Sequence, residues 1–588
     1  MKFPSISSLT QLIKTVFLRF PLQLIITLSA VVIAWLLTYP NVENEEILLR
    51  SLAFCLLAFN FSLSAILFAN ARSLPVLKNW LLQVLALVIS ATIMIWLKPD
   101  LWQKDIYILI VFVLACHLMV AFASFLNEEP VLSFWHFNKT LFLRILTAGL
   151  YSVVIILGLF AALAAIDNLF DVSIKSATYA KVASVVGIGF NTIFFLAGIP
   201  EQRTNNIDNS YPKGLKIFTQ FVLIPLMTVY LLILLVYELK IIVEWELPKG
   251  YVSLLILGYA VFGILSLLLV YPIRNMEENK WIKLFSRFFY IMMLPLLVLL
   301  ALAIYKRISD YGITEERYML ILLAIWLTGI TFYFLLSKKD NIKIIPISLA
   351  VCCLISAIGP QSAASVSRHS QTSRLKSLLS QGEKADKSET ASVLNYLVDN
   401  HGLTAIRSLT TENVDAIQDS VLNKVDNNSY YQARSVLKDT AFGLLKIKDL
   451  QDASSFQSRK QFRKKDENLI TVSGYETAFQ FDSYTDKQFE IKADSIPLTI
   501  LISKHQVKVN DGKESVAFEL DDFCKTIAAK YKADLKYELT LTDSLMFISK
   551  ESSRFKLGVQ LTNFNTTSDA EADSNETVFS GYLLIHKK

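Results

Sequence analysis

Apolar runs of roughly twenty residues, parted by short polar stretches, fill the chain up to Gly359. A helix needs about 20 mostly apolar residues to cross the ~30 Å hydrocarbon layer of a bilayer. On that measure the pattern predicts eleven spanning helices, over 17–38, 48–69, 77–97, 106–126, 141–166, 177–199, 215–237, 251–272, 285–305, 318–336 and 342–359. The runs are too long and too evenly apolar for barrel strands, which alternate over about ten residues. Asn60 interrupts the second run; Lys181, Asn191 and several glycines interrupt the sixth. The first apolar run, Leu22 to Leu37, is longer than a signal-peptide core and lacks a small-x-small cleavage site, so it reads as a retained helix.

Past residue 360 the pattern changes. "GPQSAASVSRHSQTSRLKSLLSQGEKADKSET" turns polar within a few residues and reads as a linker over 361–390. Helical periodicity follows over 391–465, in "ASVLNYLVDNHG", "ENVDAIQDSVLNKV" and "YYQARSVLKDTAFGLLKI", with a helix stop at Gly402. The basic stretch Arg459 to Lys465 reads as a solvated connection. From 466 to 588, "ITVSGYETAFQF", "QFEIKADSIPLTILISKHQVKV", "LKYELTLTDSLMFIS" and "RFKLGVQLTNF" alternate as strands around one helix, "DDFCKTIAAKYKAD". The fold class expected is a polytopic α-helical membrane bundle followed by a soluble α+β C-terminal domain.

Charge sharpens this division. Residues 1–360 hold 27 Lys/Arg and 20 Asp/Glu; residues 361–588 hold 30 and 31. The basic excess therefore lies between apolar runs, which suits membrane topology and gives no reason to expect a nucleic-acid partner. About 17 Lys/Arg flank the spans on the N-terminal side against about 10 on the other, placing the N-terminus in the cytoplasm. An odd number of spans then puts the C-terminal domain in the periplasm of a bacterial inner membrane. Trp35, Trp80, Trp96, Trp102, Trp135, Trp245 and Trp281 fall near span ends, as interfacial rings do, and Trp326 is the exception. The five cysteines show no disulfide or zinc spacing.

Candidate chemistry is sparse. "SFWHFNKTLFLR", at the entry to the fifth span, places His136, Asn138 and Arg144 beside the interfacial Trp135 and Lys139. These residues either anchor the helix at the headgroups or face the bundle as part of a site. Asp167 closes the same helix, and Glu244 and Glu246 follow the seventh span, where Glu244 can pair with Lys240 or two carboxylates can attract a cation. Pro225 and Pro295 interrupt the seventh and ninth spans, as in broken helices that line solute paths. Asn60, Asn191, Gln220 and His117 are candidates for hydrogen bonds between helices. No phosphate-binding loop, HExxH or GxSxG occurs, the histidines show no metal-ligand spacing, and no metal or cofactor is expected.

The fifth span continues as "FWHFNKTLFLRILTAGLYSVVIILGLFAALAAIDNLF". With "YPKGLKIFTQFVLIPLMTVYLLIL", "WELPKGYVSLLILG", "LSLLLVYPIRN" and "YGITEERY", it resembles a bacterial membrane family named domain of unknown function 4153, over roughly residues 10–375. The resemblance implies a polytopic inner-membrane protein and brings no catalytic residues with it. Two functions are expected from the sequence. One is a transporter or permease. The other is a non-enzymatic envelope sensor or scaffold whose outer domain binds an envelope protein, peptide or glycan. An enzyme acting on a lipid-linked substrate, with His136 or Glu244 as acid or base, has no motif to support it.

Overall fold

Eleven apolar helices, labelled α1–α11, account for most of the first 358 residues. They are α1 Pro21–Leu36, α2 Glu45–Ala71, α3 Val76–Trp96, α4 Gln103–Phe122, α5 Val131–Phe170, α6 Ser176–Ala197, α7 Lys213–Glu244, α8 Val252–Leu269, α9 Lys280–Tyr311, α10 Glu315–Leu336 and α11 Ile344–Ala357. The computed structural model describes residues 14–588 apart from 40–44, 100–101, 127–129, 201–210, 245–251, 275, 277–278, 338, 425–429, 448–458, 466–469, 484–486, 494–495, 504, 532–537 and 568–576. Among the described residues, nine helices are long and apolar enough to cross a membrane, and α1 and α11 are shorter apolar helices. The chain divides into two units, Met1–Gln371 and Thr372–Lys588.

The side-chain distribution identifies the solvent of the first unit. Among the described residues, every exposed large hydrophobic side chain lies at or before Ile358, save Val472, Leu501 and Leu545. In water such a surface would be strongly unfavourable; against acyl chains it is neutral. With its many apolar helices, the chain is a multi-pass membrane protein. Helix α5 is the extreme case: 40 residues, about 60 Å long, with none of residues 153–170 buried. By contrast α8 and α9 pack closely. A Cβ at Gly263 of α8 would overlap the Phe289 ring of α9, and Phe289 lies against Tyr259 while Tyr290 stacks on Phe334.

Local backbone features follow from proline. Residues 14–19 are helical, and Phe20 leaves helical geometry (φ −131°, ψ 50°) directly before Pro21, whose ring disfavours the α conformation there. Hydrogen bonds still run from Phe20 N to Val16 O and from Leu24 N to Phe20 O, so the helix is dented and not ended. In α7 a π-helical segment, Phe218–Leu223, stands immediately before Pro225. Proline cannot donate to the carbonyl of residue 221 and crowds it, and the wider turn moves that carbonyl aside. A second π segment, Val185–Phe190, carries Gly187 and Gly189. A Cβ there would meet Ile156 and Val31 only at 3.9 and 3.5 Å, so close packing does not require these glycines. Pro295 lies inside a continuous α9.

In the segment read as a linker, Ala363–Ser380 forms helix α12. Its first turns hold the α9–α10 turn. Ser367 Oγ donates to the buried Glu315 carboxylate (2.6 Å), Ser370 Oγ accepts from Ile313 N (2.9 Å), and Gln371 Nε2 donates to the carbonyls of Tyr311 (2.9 Å) and Ile313 (3.1 Å).

After the last turns of α12, the second unit continues with helices α13 Lys387–His401, α14 Val414–Lys424 and α15 Tyr430–Leu444. Asp386 caps α13 by accepting from Ser388 N and Glu389 N, and Gly402, at φ +69°, ends it as the sequence predicts. Two sheets and one helix, α16 Leu520–Lys530, then share a core. The larger sheet runs β2 (Thr477–Asp482), β10 (Val578–Lys587), β9 (Phe555–Thr567), β1 (Arg459–Lys464), β7 (Glu538–Leu541), with β8 (Phe547–Glu551) also on β9. Only the β1–β7 pair is parallel. The smaller sheet is a meander, β3 (Lys487–Ala493), β4 (Ile496–Ile502), β5 (Gln506–Asn510) and β6 (Ser515–Glu519).

The basic stretch read as a solvated connection is β1, between two other strands. Its period of two puts Phe462 and Lys464 on the buried face, and Lys464 Nζ meets Asp543 at 3.0 Å. Counting charges hid that alternation.

The β5–β6 turn is fixed by Asp511, whose carboxylate accepts from Glu514 N (2.6 Å), Lys513 N (2.8 Å) and Arg554 Nη1 (2.6 Å). These donors, the backbone N–H of Glu514 foremost, hold its carboxyl below the usual carboxylate range. A lowered folded-state pKa stabilises the turn fully above the unfolded value, near 4, and loses that contribution as pH falls through the folded one. Hydrogen exchange at residues 510–515 of the full chain, corrected for intrinsic rates, is expected to speed up below about pH 4. In Asp511→Asn it should be faster at neutral pH and lack the acid-dependent part; an unchanged profile would contradict this account.

Candidate functional site

The last carbonyls of a helix have no partner within it, and near a membrane they need a donor. In this bundle the polar residues beside the apolar runs supply donors to the ends of neighbouring helices. Trp135 Nε1 on α5 donates to Leu268 O (2.6 Å), and the Tyr211 hydroxyl to Leu269 O (2.9 Å), so two stacked rings close the end of α8. Asn138 Nδ2 donates to Ala121 O near the end of α4 (3.0 Å) and to Phe134 O of its own helix (2.9 Å). Arg19 reaches Ile199 O (2.6 Å) and Pro200 O (2.7 Å) past α6, and Arg50 reaches Met94 O (3.0 Å) and Leu97 O (2.5 Å) at the end of α3.

The sequence candidates divide accordingly. His136, Asn138 and Arg144 lie together on the first part of α5. His136 sits edge-on to Trp135 at 5.0 Å. The exposed Arg144 lies 6.0 Å from the Phe194 ring and against Gly198, where a Cβ would overlap its side chain. Asp167 is about 35 Å beyond Arg144 on the same helix, where it accepts from Ile174 N (2.8 Å) and shapes the turn into α6. Glu244 is exposed at the end of α7 and pairs with Lys240 at 3.7 Å, the i,i+4 pair expected. Glu246 falls outside the described residues. Pro225 and Pro295 lie in α7 and α9, away from the α5 group in the chain. Of the described candidates, His136, Asn138 and Arg144 share one stretch of α5, and Asp167 stands far from them on the same helix.

Of the glue candidates, Gln220 Nε2 bonds across to Asn279 Oδ1 at 3.3 Å. Asn60 and His117 bond carbonyls of their own helices, Leu56 and Val113. Trp326, the tryptophan away from an interface, donates to Ser348 Oγ of α11 at 2.9 Å.

The most concentrated buried polarity lies elsewhere, among α1, α2 and α3. Gln23 Nε2 donates to Ser62 Oγ (3.1 Å) and to Gln83 Oε1 (3.3 Å), and Gln83 Nε2 donates to Asn79 Oδ1 (3.0 Å). Ser62 Oγ passes on to Phe59 O (3.1 Å), and Thr27 Oγ1 bonds Gln23 O (2.7 Å). Gln23 and Ser62 are fully buried and Gln83 is 3% exposed. Gln23 Oε1 is buried with no hydrogen-bond partner among the described residues. These side chains are neutral, so the cluster carries polarity into the apolar interior without the penalty of a charge. The sequence signal was present, since Gln23, Asn79 and Gln83 are amides within apolar runs, but a search for charge passes over them. No group of three or more metal-ligating side chains occurs among the described residues.

By sequence, residues 30–385 match the family described as Domain of unknown function (DUF4153), which is more than half of the chain. The chain belongs to that family. The DUF4153 stretch takes in Ser62, Asn79 and Gln83, with Gln23 just ahead of it, and ends before the first strand. A protein of Pasteurella multocida (strain Pm70) named "Uncharacterized protein PM1469" is 29% identical over 257 residues, 42% of this chain and 42% of that relative. The match thus spans under half the relative's length. No solved structure matches.

The Arg144–Gly198 contact yields a direct test. Gly198→Leu is expected to destabilise the detergent-solubilised chain by about 1–3 kcal/mol through overpacking, and Arg144→Ala in the same chain should recover most of that loss. Additive thermal shifts in the double variant would show that the two residues do not share a contact.

Proposed function

We propose that this chain is a permease-like protein of the bacterial cytoplasmic membrane. It crosses eleven times, with its N-terminus in the cytoplasm and residues 372–588 in the periplasm. The eleven-span count adds α1 and α11 to the nine long helices. Joined to residues 14–19 across Phe20, α1 reaches about 34 Å; α11 with its flanking turns over 342–358 reaches about 25 Å, enough for a locally thinned bilayer. Excess Lys/Arg on the N-terminal side supports the orientation, and the Pasteurella relative supports a bacterial setting.

The observation that carries the transport reading is the buried group Gln23, Ser62 and Gln83, continued by half-buried Asn79. Anchoring alone gives no reason to bury three neutral polar side chains inside an apolar bundle. Such groups suit a neutral solute better than an ion, because none provides a counter-charge. The second reading, a sensor or scaffold, rests on residues 459–588 having a core of their own. It would give the periplasmic sheets a peptide, glycan or envelope-protein partner. The family match ends at residue 385, which favours the bundle as the seat of the shared function.

Two experiments bear on this. A phosphatase reporter at Lys588 is expected to be active and a fluorescent protein there dark; the reverse pattern removes the topology. Liposomes holding the full chain are expected to admit neutral polar solutes faster than protein-free vesicles across a panel of polyols, amides and amino acids. If no member of the panel exceeds the protein-free rate while removal of residues 386–588 abolishes the protein's cellular phenotype, the sensor reading replaces it.

A further inference from the structure

Two stretches at the same end of the first unit carry residues of the same kinds in the same order. Lys216-Ile217-Phe218-Thr219-Gln220-Phe221 lies in the opening turns of α7, and Lys283-Leu284-Phe285-Ser286-Arg287-Phe288 in those of α9. Gln220 Nε2 bonds Asn279 Oδ1 at 3.3 Å, and Ile224 of α7 shares a small core with Ile282 and Phe285 of α9, so the two openings lie side by side. Lys216 and Lys213 stand one and two turns before Gln220, and Lys283 and Arg287 follow Asn279 at i+4 spacing. The Gln220–Asn279 bond therefore joins a basic face of α7 to a basic face of α9. Lys213, Lys283 and Arg287 are exposed and Lys216 is half-buried. Among the described residues, none of these four is held in an ion pair. Other cations at this end are engaged: Arg19 with the Ile199 and Pro200 carbonyls, Arg274 with Asp340 at 2.9 Å, and Lys139 over the Trp135 ring.

We infer that the joined faces of α7 and α9 are a docking surface for an anionic phospholipid, its phosphate among Lys213, Lys216, Lys283 and Arg287. Charge selects an anion. Residues 211–221 and 276–288 hold five cations against two carboxylates, Glu277 and Glu278, which lie outside the described residues. Neither helix has an acidic residue in its first turn, so cations stand where the helix dipole disfavours them, and a phosphate beside them offsets that cost. The apolar surface selects a lipid over other anions. Ile217 and Phe221 on α7, and Leu284 and Phe288 on α9, are exposed within about 8 Å of rise beyond Lys216 and Lys283. Cation and apolar wall thus come at the same interval on both helices, in the order of a phosphate and the acyl chains behind it. Exposed Trp281 lies beside Lys280, as a ring at the headgroup layer does. A soluble anion or an acidic polypeptide would meet the cations and leave the apolar part unused. The inference needs only the membrane setting of the first unit, and neither the orientation nor the permease reading.

The test uses the full-length chain in neutral detergent, with phosphatidylglycerol and phosphatidylcholine of the same acyl chains as probes, read by native mass spectrometry. The wild-type chain is expected to bind phosphatidylglycerol about tenfold more tightly than phosphatidylcholine, with the preference shrinking as salt is added. Lys216→Gln with Lys283→Gln and Arg287→Gln should abolish the preference. Lys175→Gln with Lys306→Gln and Arg307→Gln removes the same charge from the α5–α6 turn and the far end of α9, and should keep it. If the first variant does not fold, Lys213→Gln with Lys283→Gln serves and should cut the preference to about threefold. An equal preference in wild type and the folded variant overturns the assignment. So does an equal loss in both triple variants, which would mark net charge and not a site, and so does a wild-type chain without preference. Glycerol 3-phosphate or polyglutamate binding as tightly as phosphatidylglycerol, and lost in the first variant, replaces the lipid with a soluble anion or an acidic polypeptide.

Discussion

Each helix ends in carbonyls that its own backbone cannot satisfy, and in a bundle surrounded by lipid there is little water nearby to meet them. Much of the first unit is arranged around that shortage. Trp135 and Tyr211 close α8, Asn138 closes α4, Arg50 closes α3 and Arg19 closes the exit of α6. Asn138 and Arg50 tie consecutive helices, and Trp135, Tyr211 and Arg19 tie elements further apart in the chain, so satisfying a carbonyl also fixes which helices are neighbours. The polar residues at the threshold of the fifth span are therefore fasteners first.

This explains why ordinary signals of a site point in several directions here. Arg144 packs on Gly198 and Phe194, Asp167 shapes a turn and Glu244 pairs with Lys240, each with a local task. The Gln23–Gln83 row differs in that its members are neutral and join three helices, Gln23 of α1, Ser62 of α2 and Gln83 of α3. Gln23 Oε1 is one of several buried polar atoms without a hydrogen-bond partner among the described residues, with Ser152 Oγ and Asn279 Nδ2 among the others.

The apolar helices were legible in the sequence because their length and composition are imposed by lipid thickness, and the change to a sheet-containing region was legible from alternation. Helix α12 was not, because "AASVSRHSQTSRLKSLLS" has no clear apolar stripe and is held partly by hydrogen bonds to Tyr311, Ile313 and Glu315, which lie some fifty residues earlier. Strand β1 was obscured by its four basic residues, which mask the alternation that buries Phe462 and Lys464. Which polar residues pair across helices was also hidden. Gln220 and Asn60 look alike as lone amides, yet one reaches Asn279 and the other its own carbonyl at Leu56, a choice made by helix packing and not by residue type.

The wide turn at Phe218–Leu223 holds one residue more than the α turn it replaces. Five residues here cover the rotation that four cover in an α turn, so the turns on either side keep the facing of an uninterrupted helix. A one-residue deletion within the segment would restore regular α-helix without turning its flanks, and would bring a carbonyl back against the ring of Pro225. The surplus residue is absorbed where it stands, and the surface of α7 before and after it lines up as one.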